Sequence, residues 1–161
     1  MRVAVAVDHA GFPLKETLLS VLRAEGHDVV DCGTDSEDSV DYPVFAARAA
    51  RMVSAGDVDR AVLACGSGTG VSIVANKFDG VRAVNARDRD EAEMARRHND
   101  ANVLALAGRS PGQAPVREIV EVFLHTDFEG GRHQRRVDQI GQVETGTLED
   151  PAQAPAAEKT G

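Results

Sequence analysis

Short β-branched runs alternate with amphipathic stretches along this chain, and the alternation predicts repeated βα units around a parallel sheet. Arg2–Val7 reads as the first strand; behind it, Leu14, Leu18, Val21 and Leu22 share one helical face that ends at Gly26. His27–Asp31 reads as the second strand, followed after a loop by a helix carrying Phe45, Ala49, Met52 and Val53. Arg60–Ala64, the third strand, runs directly into a glycine-rich turn and a short helix reaching Lys77. Val81–Val84 is the fourth strand, Asp88–Arg97 a charged helix and Asn102–Ala107 the fifth strand. The clearest apolar stripe follows: Val116, Ile119, Val120, Phe123 and Leu124 recur at i, i+3, i+4, i+7 and i+8. After Glu129-Gly130-Gly131 comes a last, basic helix over Arg132–Gln142.

From Glu144 onward the periodicity stops and Pro, Ala, Glu, Thr and Gly dominate. Such a segment buries too little apolar area to offset its ordering entropy, so residues 144–161 are expected to be a disordered tail on one domain, 1–143. A chain of 161 residues suffices for one core without disulfides. Its two cysteines, Cys32 and Cys65, are too isolated for a disulfide framework or a cysteine-rich zinc site, and Cys32 reads as structural. No signal peptide and no apolar run near the ~20 residues of a membrane span is visible, so the expected location is the cytoplasm. The formal charge of −8 opposes nucleic-acid and anionic-membrane partners, so any phosphate site must be a local basic pocket.

In an open parallel sheet, ligands bind beyond the carboxyl ends of the strands, where strand order reverses. Cys65-Gly66-Ser67-Gly68-Thr69-Gly70 lies at such an end. Glycines let backbone N–H groups converge there, which suits a phosphate or a reaction oxyanion and makes a thiol usable as base or nucleophile. The alternative is a tight strand–helix turn with a buried structural cysteine. The spacing is G-x-G-x-G and the next strand ends near Asn85 without the acidic residue a ribose 2′-hydroxyl prefers, which disfavours a dinucleotide site, and no P-loop occurs.

Asp8-His9-Ala10-Gly11 also sits where a strand gives way to a helix, either facing a polyol or capping the helix. Asp41-Tyr42-Pro43 opens another helix and contains the chain's one tyrosine. His98-Asn99-Asp100-Ala101-Asn102 offers an imidazole for proton shuttling, or is simply a polar loop. It stands at the wrong end of its strand for the same pocket, which suggests service to a neighbouring subunit. Arg132 and Arg136, four apart, share a face if helical and make either a phosphate clamp or a solvated basic face.

Together, Asp8-His9-Ala10-Gly11, Asp41-Tyr42-Pro43, Cys65-Gly66-Ser67-Gly68-Thr69-Gly70 with Ala75-Asn76-Lys77, His98-Asn99-Asp100-Ala101-Asn102-Val103-Leu104 and Gly131-Arg132-His133-Gln134-Arg135-Arg136-Val137 resemble the ribose-5-phosphate isomerase B family over residues 1–143. The resemblance implies a three-layer α/β/α Rossmann-like domain with a five-stranded parallel sheet. It implies a homodimer with shared active sites, leaves open whether dimers pair into a tetramer, and implies no cofactor or metal. It implies that Cys65 is the base in aldose–ketose isomerisation of ribose 5-phosphate through an enediolate. Ser67 and the amides of Gly66, Gly68, Thr69 and Gly70 would stabilise the oxyanions. His98 of the partner would open the furanose ring. Asp8, His9, Tyr42 and Asn99 resemble sugar-binding groups, and Arg132, Arg136 and Arg109 phosphate-binding ones. Other substrates (allose or galactose 6-phosphate, a tetrose 4-phosphate), a non-catalytic sugar-phosphate-binding module and a nucleotide-binding module are the alternatives.

Overall fold

The computed structural model describes residues 1–110 and 112–150. Strands β1 (Arg2–Val7), β2 (Asp28–Asp31), β3 (Arg60–Cys65), β4 (Ala83–Asn85) and β5 (Val103–Ala107) form one sheet in the order β2-β1-β3-β5-β4. Every pairing is parallel, as the βα alternation requires. The helices are α1 (Phe12–Ala24), α2 (Tyr42–Ser54), α3 (Thr69–Ala75), α4 (Arg89–Asn99), α5 (Val116–His125) and α6 (Gln134–Thr145).

Side-chain alternation decides how the layers pack. In β1, Val3, Val5 and Val7 face α1 and α5, whereas Ala4 and Ala6 face the other side. In β5, Leu104 and Leu106 join the first face, where Leu18, Leu22, Ile119 and Phe123 fill the core. The second face meets Ala46, Ala49 and Ala50 of α2 and Val71 and Ala75 of α3, small residues that let these helices lie close to the sheet. The result is the expected three-layer α/β/α Rossmann-like architecture. Each fully buried Val, Leu or Phe contributes roughly 1.5–3 kcal/mol relative to exposure.

Several boundaries shift by one to three residues from the periodicity, and the hydrogen bonds explain two of them. The fourth strand starts at Ala83 rather than Val81 because Val81 N–H closes a turn onto the Phe78 carbonyl (3.1 Å). The next amides, of Arg82 and Ala83, go to the carboxamide oxygens of Asn102 and Asn76, each at 2.8 Å. The last helix begins later, at Gln134, behind a 3₁₀ turn over Gly131–His133, and runs past Glu144 to Thr145. The Glu144 carboxylate accepts from Gly80 N–H at 2.9 Å, tying this end to the domain. Of the expected tail, residues 151–161 lie outside the described residues. Among the described residues no helix is long and apolar enough to cross a membrane.

The chain leaves β1 toward β2 on one side and returns to place β3 on the other, so strand order reverses between β1 and β3. Asp8 follows β1 and Cys65 ends β3, which puts both at the switch point.

Candidate active site

Cys65 is 4% exposed, and the amide of Gly68 donates to its sulfur at 3.2 Å. That contact exists because Gly68 is left-handed, φ 76°. A Cβ there would also collide with the Asn85 carboxamide and lie 3.0 Å from the Leu106 carbonyl carbon. Asn85 braces the turn from β4, its Nδ2 donating to the Ser67 carbonyl (3.0 Å) and the Thr69 hydroxyl (3.3 Å). Sequence reasoning missed this role, since a lone Asn at a strand end carries no distinguishing pattern. The helix that the turn opens, α3, has only seven residues, so the local potential rests on the turn's own amides.

Other predicted residues gather at this edge. A Cβ on Gly70 would lie 2.7 Å from the Tyr42 ring, so the start of α2 packs directly on the turn. Gly108 N–H donates to the Cys65 carbonyl (2.7 Å) and Arg109 N–H to that of Gly66 (3.1 Å), bringing Arg109 beside the turn. Asp8 is buried, and its Oδ1 accepts from the amides of Ala10 (2.9 Å) and Gly11 (2.8 Å). The carboxylate therefore closes the turn ahead of α1 and does not cap the helix itself, whose N-cap, Gly11, carries no side-chain cap. His9 is held through Nδ1 by the Val40 backbone at 3.2 Å. Cys32, by contrast, is buried against the Met52 sulfur at 3.7 Å, and burial pushes its thiol pKa up.

The remaining predicted residues form a second group. His98 and Asn99 end α4, which runs back against the strand direction, so they lie at the amino-terminal edge of the sheet. Strands of five or six residues separate the two edges by roughly 17–20 Å. Arg132 and Arg136 belong here too, although Arg132 sits in the 3₁₀ turn and Arg136 in α6. The α4–β5 turn is fixed by Asp100, left-handed at φ 46°, whose carboxylate pairs with Arg82 and Arg96, each at 2.8 Å. Asp100 N–H meanwhile closes onto the Arg96 carbonyl at 3.2 Å. One chain thus holds the predicted residues in two separated groups.

Two residues of this second group were not predicted as site residues. The rings of His98 and His133 stack with centroids 4.1 Å apart and planes 5° from parallel. The Glu129 Oε2 atom lies 3.7 Å from His98 Nε2 and 3.6 Å from His133 Nε2. Arg97 grips the other oxygen through Nε (2.6 Å) and Nη2, which holds the Glu129 carboxyl below the usual carboxylate range. Burial, then the neighbouring His98 and Arg132, push the His133 pKa down. These three side chains are metal-ligand types whose nearest atoms all fall within 4.8 Å. Parallel stacked rings, however, cannot both aim a nitrogen lone pair at one ion without turning.

The profile of the Ribose/Galactose Isomerase family matches residues 3–140. Ribose-5-phosphate isomerase B of Escherichia coli is 43% identical over 143 residues, covering 89% of this chain and 96% of that protein. The solved structure of the Clostridium thermocellum ribose-5-phosphate isomerase B superposes with TM-score 0.87 at 42% identity, covering 91% of this chain and 99% of that one. The Mycoplasma genitalium ribose-5-phosphate isomerase B, solved with bound ribulose 5-phosphate, gives TM-score 0.84 at 40% identity, covering 89% of this chain and 96% of that one. With family profile, sequence identity and backbone in accord over almost the whole described fold, the chain belongs to the ribose/galactose isomerase family.

Proposed function

We propose that this isomerase interconverts ribose 5-phosphate and ribulose 5-phosphate, with Cys65 carrying the proton between C2 and C1 through an enediolate. The observation that supports it most is the Gly68 amide donating to the Cys65 sulfur at the switch point of the sheet. That bond fixes the sulfur at the carboxyl end of β3, where a sugar phosphate bound at the switch point would present its carbons. The base takes the C2 proton of the aldose and the electron pair moves onto the carbonyl oxygen. The Ser67 hydroxyl and the amides of the turn other than that of Gly68, which is held by the sulfur, meet that charge. Returning the proton to C1, while the O2 hydroxyl proton passes to O1, completes the ketose, and the cycle needs no net redox change.

In this reading two protomers complete each site. One supplies Cys65, the glycine turn, Asp8, His9, Tyr42 and Arg109. The other supplies His98 for ring opening, Asn99 for a sugar hydroxyl, and Arg132 with Arg136 for the phosphate. The separation of the two groups across the sheet supports a composite site. So do the exposed apolar side chains Val44 on α2 and Ile73 on α3, the helices flanking the turn, at 57% and 55% exposure. The relatives' names and the ribulose 5-phosphate bound to the Mycoplasma genitalium protein support the pentose phosphate as substrate.

EDTA-treated full-length protein is expected to turn over ribose 5-phosphate at its untreated rate, and faster than it turns over galactose or allose 6-phosphate. A preference for a hexose phosphate or a tetrose 4-phosphate would overturn the substrate assignment. Loss of activity restored by added metal would overturn the mechanism.

A further inference from the structure

We infer that Glu129 and His133 are positioning residues for His98, fixing the plane of its imidazole and keeping the cluster's mobile proton on that ring alone. The inference deepens the composite-site reading and rests on its assignment of ring opening to His98.

Arg132 Nε–H donates to His133 Nε2 at 3.2 Å. A guanidinium only donates, so that nitrogen must present a lone pair, and His133 is neutral with its proton on Nδ1. Its side chain is 6% exposed, and the positive charges of Arg132 and Arg136 on the same segment further oppose protonation. Glu129, gripped by Arg97, is therefore the one anion facing two imidazoles of which only His98 is free to become cationic. Arg97 is itself anchored by Glu93 at 3.1 Å on the preceding turn of α4, so the carboxylate is held in place from α4. At 3.7 Å the carboxylate stands beyond hydrogen-bond reach of His98 Nε2 and faces that edge of the ring with its charge.

The stack supplies orientation. A ring lying flat on another at 4.1 Å cannot rotate about its χ2 bond without driving into its neighbour. Two imidazoliums in that geometry would repel, which again confines charge to one ring. With Nε2 facing Glu129, Nδ1 is the nitrogen left for a ligand; among the described residues it has no hydrogen-bond partner.

Furanose opening needs these properties. The anomeric hydroxyl loses its proton as C1=O forms, the bond from C1 to the ring oxygen breaks, and the ring oxygen takes up a proton. One imidazole that alternates between charged and neutral forms serves both transfers and ends unchanged. A second titrating histidine in contact would share that proton and blur its position.

The test uses full-length Glu129→Gln, His133→Phe and His133→Ala, with His98→Asn as reference. In Glu129→Gln, kcat/KM for ribose 5-phosphate is expected to fall by about tenfold or more. The value for erythrose 4-phosphate, which cannot close a phosphorylated furanose, should change much less. Phenylalanine keeps the flat surface at position 133 and should preserve most ribose 5-phosphate turnover, whereas alanine should lose it. Equal losses on the cyclic and acyclic substrates in Glu129→Gln, or equal activity of the Phe and Ala variants, would overturn the positioning role. The ring-opening assignment fails separately, if His98→Asn slows the cyclic and acyclic substrates alike.

Discussion

Cys65→Ala is expected to lower isomerase turnover by about 10³-fold or more, because it removes the group that touches the migrating proton. Stability should change little: the side chain is small, and its loss leaves a gap of one sulfur atom beside α2 and α3. Cys65→Ser separates the chemistry from the packing. A serine oxygen can still accept from the Gly68 amide, so the turn keeps its shape. A hydroxyl is nevertheless far too weak an acid to ionise near neutral pH, and the serine enzyme should be as slow as the alanine one. Steady-state assays on ribose 5-phosphate, with circular dichroism to verify folding, decide the matter. A serine variant within tenfold of wild type would take the base role away from the sulfur.

For His98→Asn the expected effect depends on the substrate. Turnover of ribose 5-phosphate should fall by about 10²-fold, the range for losing one acid–base group. Erythrose 4-phosphate, having no phosphorylated furanose to open, should be turned over within about threefold of wild type. Asparagine keeps a polar planar group against His133 but cannot relay a proton. The residual rate on ribose 5-phosphate should then track spontaneous opening of the sugar in solution. Equal losses on both substrates would instead place His98 in binding or in the proton transfer at carbon.

The layers of the fold were legible because the strands carry their burial in their composition. The Val/Ala alternation of Arg2–Val7 and the stripe from Val116 to Leu124 each find the faces they imply. The beginning of β4 was not legible: Val81 looks like strand, yet the carboxamides of Asn76 and Asn102 capture the next amides. Such long-range side-chain capture leaves no local period to read. At the site, Cys65 and its glycines stood out because only glycine accepts the conformation at Gly68. Asn85 and Glu129 act through partners 18 and 32 positions away in sequence and His133 through a ring stack, and their neighbours in the chain say nothing of it. The wrong-ended placement of His98 was visible from strand order alone, and α4 puts it where that reasoning expected.

The distance between the Cys65 turn and the end of α4 also has a genetic corollary. In a composite dimer, a Cys65→Ala allele and a His98→Asn allele damage opposite halves of each site. A mixed dimer collects both lesions in one site and leaves the other intact. Random pairing of equal amounts would restore about a quarter of wild-type activity, since half the dimers are mixed and each keeps one site of two. A cell carrying both defective alleles would thus recover growth that neither allele supports by itself.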